Sequence, residues 1–150
     1  MIDIQDVALD AIYNYSLIWD TTYTTKQVFD NSGTLKFSNL AHKGLHTNAY
    51  RRIDMDIINS GRIEANNVGE EAIFNKTRTD GSFLHSQLSF VNSGEIDITN
   101  NQKRAIYNLN ENGIMDFISS GNIKIDTGTQ EGIYNLNIRT SYDRYDSCLL

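Results

Sequence analysis

Four Ser-Gly pairs punctuate this 150-residue chain, and a small residue follows each of their glycines 11 positions later. The glycine and the small residue are Gly33 with Gly44, Gly61 with Ala72, Gly94 with Ala105, and Gly121 with Gly132. A constant offset between segments that otherwise differ is typical of a structural unit stacked on copies of itself. The spacing therefore indicates a solenoid of repeated units.

Each unit contains three short segments with the alternating pattern of a β-strand. The first follows the glycine and places one polar residue between two apolar ones, as in Leu35-Lys36-Phe37. The second follows the small residue and reads Ile-Tyr-Asn or a variant of it, and the third precedes the Ser-Gly pair, as in Phe90-Val91-Asn92. Apolar-polar alternation indicates half-buried strands, and the chain has no sustained helical period.

The small residues, starting from Ala11, recur at intervals of 33, 28, 33 and 27 residues. The additional residues of the long units fall around 15–28 and 76–89, between the second and third segments. We therefore predict an all-β, single-stranded parallel β-helix, right-handed, with four to five coils of 27–33 residues. Its repeats span residues 1–138, and its coils begin near residues 11, 44, 72, 105 and 132. Residues 139–150 are predicted to form a polar tail or cap.

Glycine and asparagine recur at fixed positions in the unit. Glycine tolerates positive φ, so a left-handed corner is predicted at Gly33, Gly61, Gly94 and Gly121. The third position of the Ile-Tyr-Asn segment holds Asn14, Asn75, Asn108 and Asn135, with Thr47 interrupting the series. These amides either form a hydrogen-bonded ladder along the solenoid axis or simply suit a turn.

Composition excludes several classes of function. A net charge of −6 and a pI near 4.9 argue against nucleic acid or an anionic membrane as a partner. No apolar run is long enough for membrane insertion, and the acidic first six residues do not read as a signal peptide. The three histidines lack metal-ligand spacing, so neither a metal nor a cofactor is predicted.

Units that read Ile-Tyr-Asn, then Phe-x-Asn-Ser-Gly, then x-Ile-x-Ile resemble the degenerate repeats of bacterial surface β-helix proteins, such as autotransporter passenger regions and haemagglutinin-like adhesins. The resemblance covers residues 2 to 138. It implies an extracellular or cell-surface location and a non-enzymatic scaffold or adhesive role. It implies no catalytic residue, because the matching positions are structural.

The two longer units offer the richest surface for binding. Aromatic side chains flanked by polar groups are suited to stack on sugar rings or to bind a partner protein. The predicted binding residues of this insert face are Tyr15, Trp19, Tyr23, Arg78, Phe83 and His85. One short coil separates the inserts, which places them roughly 10 Å apart on one face. The alternative is that these aromatic residues merely pack against the coil.

Two other functions compete with the adhesive one. Asp54 and Asp56 lie on one side of a predicted strand, close in sequence to Arg51, Arg52 and His46. Paired carboxylates of this kind serve carbohydrate-active β-helix enzymes as general acid and base. The other hypothesis is that the chain is a self-associating module whose first coil stacks end to end on another copy.

Overall fold

The computed structural model describes residues 1–17, 24–79, 86–126 and 130–138, and their regular structure consists of 14 β-strands. Sheet A contains β1 (Ile2–Gln5), β4 (Thr34–Leu40), β7 (Arg62–Val68), β10 (Glu95–Thr99) and β13 (Asn122–Asp126). Sheet B contains β2 (Ile12–Leu17), β5 (Leu45–Tyr50), β8 (Ile73–Arg78), β11 (Ile106–Glu111) and β14 (Ile133–Ile138). Sheet C contains β3 (Thr25–Asn31), β6 (Ile53–Asn59), β9 (Ser86–Asn92) and β12 (Ile114–Ser119).

All neighbouring strands within the three sheets run parallel, and each pairs with its equivalent one coil away. In sheet A, Ile2 lies beside Leu35, Leu35 beside Ile63, Ile63 beside Ile96, and Ile96 beside Ile123. These steps are 33, 28, 33 and 27 residues, the intervals read from the sequence. The predicted parallel β-helix is therefore confirmed.

The difference between long and short coils lies at the corner between sheet B and sheet C. Residues 18–24 separate β2 from β3 and residues 79–85 separate β8 from β9, whereas only residues 51–52 and 112–113 separate the equivalent strands of the other two coils. The predicted placement of the inserts is confirmed. Residues 18–23 and 80–85 themselves lie outside the described part of the chain.

Inward side chains of the three sheets form one apolar core. The second and fourth residues after each Ser-Gly pair point inward, and in the middle coils Phe37, Ile63, Ile96 and Ile98 are almost fully buried. Burial of each such side chain contributes about 1.5–3 kcal/mol. The core holds the outward residues of each sheet at fixed positions on a rigid surface.

The glycine of the Ser-Gly pair is required for a different reason from the one predicted. None of the four glycines has a left-handed φ, so the predicted positive φ is wrong. Instead, a Cβ on Gly61, Gly94 or Gly121 would lie 2.0 Å from the carbonyl oxygen of the glycine one coil earlier. Glycine is therefore needed because successive backbones approach closely at this corner.

Asparagine and aspartate provide the left-handed conformation at the corner that follows sheet A. The residues with positive φ there are Asp6, Asn39, Asn67 and Asn100. They lie one coil apart, and short polar side chains tolerate this conformation better than other side chains do. The positive φ that was predicted for the glycines therefore occurs at these four residues instead.

Two asparagine ladders run through the interior. In the first, the Nδ2 of Asn75 donates to Asn108 at 2.9 Å and that of Asn108 to Asn135 at 2.8 Å, whereas the Nδ2 of Asn14, beyond Thr47, approaches the sulfur of Met55 at 3.7 Å. The second was not predicted. It links Asn31 to Asn59 at 2.7 Å, Asn59 to Asn92 at 2.6 Å and Asn92 to Ser119 at 3.0 Å.

Candidate functional site: the aromatic face of sheet B

A column of aromatic rings runs along the outward face of sheet B. It consists of the second residue of each Ile-Tyr-Asn segment and is called here the aromatic column: Tyr13, His46, Phe74, Tyr107 and Tyr134. Successive ring centroids lie 4.5, 4.9, 5.3 and 5.4 Å apart. The column follows directly from the register, because parallel in-register strands place equivalent outward side chains about 4.8 Å apart.

A small cavity lies beside the aromatic column, toward the corner between sheets B and C. Tyr15, Asn48, Tyr50, Lys76 and Arg78 line it, and its volume is about 150 Å³. All five side chains belong to β2, β5 and β8 of sheet B. Aromatic surface and hydrogen-bonding groups thus share one concave site.

Cations flank the rings on both sides. The guanidinium of Arg104 lies 4.8 Å from the ring centroid of Tyr107 and 4.2 Å from that of Tyr134. At the other end of the strands, Arg51 and Arg78 lie 5.1 and 5.4 Å from the ring centroid of Tyr50. Such contacts contribute about 0.5–1 kcal/mol at exposed sites and hold the long side chains against the face.

The imidazole of His46 is held within the aromatic column. Its Nδ1 lies 2.6 Å from the Oδ2 of Asp10. Burial lowers the pKa of His46 below its ordinary value of 6.5, although the hydrogen bond to Asp10 acts in the opposite direction. Burial also raises the pKa of the Tyr107 phenol, so this hydroxyl is protonated at neutral pH. The column therefore presents neutral rings with hydrogen-bonding edges.

An ion-pair network at the corner between sheets A and B supports the edge of the column. Glu70 accepts hydrogen bonds from Lys43 and, at 2.8 Å, from Lys103, and Lys43 also lies 5.4 Å from the ring centroid of Phe74. Burial alone would raise the pKa of Glu70, but the hydrogen bonds from Lys103 and Lys43 lower it to about 2.

This network makes the fold sensitive to acid. The folded-state pKa of Glu70 lies below its ordinary value of 4.5, so its stabilisation is complete above pH 4.5 and is lost as the pH falls toward 2. We expect Glu70→Gln to lower the free energy of unfolding by about 1–2 kcal/mol at pH 7, less than the full pKa shift implies because solvent screens these charges, and by much less at pH 2. Urea titrations of both proteins across this pH range measure the difference. A Glu70→Gln effect that stays constant with pH would contradict the assignment.

The two predicted binding residues that the structure describes lie together. Tyr15 and Arg78 line the same cavity, although 63 positions separate them in the sequence. The other predicted binding residues, Trp19, Tyr23, Phe83 and His85, lie outside the described residues. Sequence reasoning missed Tyr50, Lys76 and the aromatic column, although its repeated tyrosines were visible as a signal.

Of the residues considered for catalysis, Asp54 and Asp56 share one face and His46 belongs to another sheet. Asp54 and Asp56 point outward from β6 in sheet C, and Lys26 pairs with Asp56 at 2.8 Å. His46 belongs to β5 in sheet B and pairs with Asp10. His46 and the two aspartates are close in sequence, but the corner at residues 51–52 separates their faces.

The outward face of sheet A is covered by paired charges. Arg62 contacts Glu64 at 2.7 Å and both Glu95 and Asp97 at 3.5 Å. Within the described ranges, no group of three His, Cys, Asp or Glu side chains is placed to hold a metal ion, and no helix is long and apolar enough to cross a membrane. Sheet B therefore offers the most distinctive surface for a ligand.

Comparison with known proteins supplies no relative. No family model matches the chain, no curated protein matches it, and no solved structure matches it. The likeness to bacterial surface repeat proteins stays a prediction from the repeat motif. Arguments about function rest on the geometry of sheet B.

Proposed function

We propose that this chain is a non-enzymatic β-solenoid segment of an exported or cell-surface protein, and that it binds carbohydrate on the outward face of sheet B. The observation that carries the proposal is the aromatic column with its adjoining polar cavity. An aromatic ring offers a flat apolar face to a sugar ring, and the phenol, amide and amino groups around it can bond sugar hydroxyls.

The column lies outside the apolar core. None of its five rings belongs to the set of residues that form or pack against that core. In the column Tyr13 is 56% exposed and the other four rings are half-buried, and Tyr15 beside the column is 43% exposed. The exposed part of this aromatic surface suits a binding platform, because a ligand that covers side chains on a rigid sheet loses little free energy in ordering the protein.

The location at the cell surface rests on the resemblance of the repeats. A solenoid made of stacked coils serves as an extended scaffold whose faces repeat along the axis. A glycan chain is itself a repeated polymer, so a face with repeated rings matches it in form. Adhesion through such a face is the role that the geometry supports best.

The test removes exposed rings without touching the core. We expect Tyr13→Ala/Tyr15→Ala to weaken glycan binding at least about tenfold, since truncating a well-placed aromatic contact costs more than 1 kcal/mol. Ile118→Ala is a matched control, because Ile118 has the same exposure as Tyr13 but belongs to β12 in sheet C. A glycan array identifies bound sugars, and titration of the best one gives the dissociation constants.

Two outcomes contradict the proposal. One is that the wild-type chain binds no glycan on the array. The other is that the tyrosine variant and the Ile118→Ala control bind equally well while both remain folded by circular dichroism. Turnover of a polysaccharide that Asp54→Ala abolishes would instead favour the enzymatic alternative.

A further inference from the structure

The corner that joins β5 to β6 has an unusual backbone. Arg51 and Arg52 both have positive φ, at 57° and 41°. The other non-glycine residues with positive φ in the described ranges are all asparagine or aspartate, including Asn112 at the same corner of the fourth coil. Two consecutive left-handed arginines are strained, and the turn itself does not require arginine.

Four positively charged residues lie in this corner or on the neighbouring strand β8. The basic corner, as we name it, comprises Arg51, Arg52, Lys76 and Arg78. Arg51 and Arg78 both lie against Tyr50, and Lys76 and Arg78 line the cavity beside it. Lys76 also pairs with Glu111 at 3.0 Å, which fixes its position over the sheet.

Arg52 has an unmet hydrogen-bonding group. Its Nε is shielded from solvent and makes no hydrogen bond within the described part of the chain. A shielded guanidinium N–H without an acceptor costs free energy. An anionic oxygen bound at this corner would supply that acceptor.

We infer that the basic corner binds an acidic substituent, a carboxylate or a sulfate, of the glycan that lies on the aromatic face. This inference rests on the proposed function and adds the ligand class. Guanidinium groups match the planar geometry of carboxylates and bind oxyanions through paired hydrogen bonds. The backbone strain at Arg51 and Arg52 is then retained because their side chains recognise the anion.

The test replaces the arginines with residues that suit the backbone. Arg51→Asn/Arg52→Gly places asparagine where the fourth coil has Asn112 and glycine beside it. We expect its melting temperature to equal or exceed that of the wild type, because both substitutions relieve the left-handed strain. Lys36→Asn/Lys124→Asn is the control, since it removes the same charge from sheet A.

The readout is an array that carries neutral, uronate and sulfated versions of the same glycans. We expect the wild type and the sheet A control to favour acidic members at least about tenfold, since hydrogen bonds to charged groups contribute about 1.5–3 kcal/mol. The arginine variant should lose this preference and keep its binding to neutral members. Uronate and sulfate members show which anion is recognised.

Two results would overturn the inference alone: a wild-type chain that binds neutral and acidic members equally, or an arginine variant that retains the preference. Absence of binding to every member would instead overturn the proposed function on which it rests. Loss of the preference in the sheet A control would show that overall charge, and not the basic corner, is responsible.

Discussion

Gly94→Ala is expected to lower the free energy of unfolding by about 3 kcal/mol or more, the upper range for overpacking. A Cβ at this position would lie 2.0 Å from the carbonyl oxygen of Gly61 and 2.7 Å from the carbonyl carbon of Ser60. Both are backbone atoms, so no side-chain rotation relieves the collision. Thermal unfolding followed by circular dichroism should show a melting temperature lower by about 10 °C or more.

Gly33→Ala is the matched control for this collision. It is the same substitution in the same Ser-Gly motif, but a Cβ on Gly33 meets no atom within 4 Å and its φ is not left-handed. We expect the melting temperature to stay constant or to rise slightly, because alanine restricts the unfolded chain by about 0.4–1 kcal/mol. Equal losses in both variants would show that glycine is needed for its conformation and not for close stacking.

Asn59→Leu is expected to cost about 2–5 kcal/mol, because it breaks the second asparagine ladder at its centre. Asn59 is fully buried, accepts a hydrogen bond from Asn31 at 2.7 Å and donates one to Asn92 at 2.6 Å. Leucine has a similar shape but leaves a buried donor and a buried acceptor unpaired, each at a cost of about 1–3 kcal/mol. Urea unfolding at neutral pH measures the loss.

Asn66→Leu provides the comparison on the surface. Asn66 is exposed and accepts hydrogen bonds from Thr99 at 3.2 Å and from Asn100 at 3.1 Å. Water can replace these partners, so we expect a change within about 0.5 kcal/mol. If the two leucine variants unfold at the same urea concentration, the buried ladder does not stabilise the fold.

The coil architecture could be predicted from the sequence because its signals are local. Alternation of apolar and polar residues fixes which side chains of a strand point inward, and the interval from Ala11 to Gly44 fixes the length of a coil. The coil lengths also predict which outward charges are neighbours in sheet A. Asp3 lies beside Lys36, and Asp97 lies beside Lys124. Inserts between strands are also visible as changes of interval.

The roles of glycine and asparagine could not be assigned in the same way. A Ser-Gly pair is compatible both with a left-handed turn and with close backbone contact. The two differ only in the distance to the next coil, which for Gly94 is the 2.0 Å approach of the Gly61 carbonyl oxygen. The second ladder is hidden for the same reason, because an asparagine before Ser-Gly is equally compatible with a local turn.

The candidate site was predicted in part. Tyr15 and Arg78 were identified from the inserts and line one cavity. The aromatic column is not evident from the pattern because tyrosine can face either the core or solvent, and only the strand register shows that these tyrosines face outward. The strain at Arg51 and Arg52 depends on backbone angles that no sequence pattern encodes.

The aromatic column, the ladders and the glycine contacts all depend on one register. Ser38 and Asn66 face outward as neighbours in β4 and β7, whereas Glu64 lies on the same face two residues away from Asn66. With Cys148 replaced by serine, the pair Ser38→Cys/Asn66→Cys lies within the range of a disulfide, because adjacent strands are about 4.8 Å apart. The diagonal pair Ser38→Cys/Glu64→Cys, at roughly 7–8 Å, does not.

The most direct measurement is disulfide formation in these two proteins under mild oxidation, followed by mass spectrometry of peptides. The register predicts a nearly complete intramolecular disulfide between positions 38 and 66, with no loss of the β-sheet circular dichroism signal, and little disulfide between positions 38 and 64. A disulfide that forms as readily in the diagonal pair, or that fails to form in the direct pair, would contradict the 28-residue step between these coils.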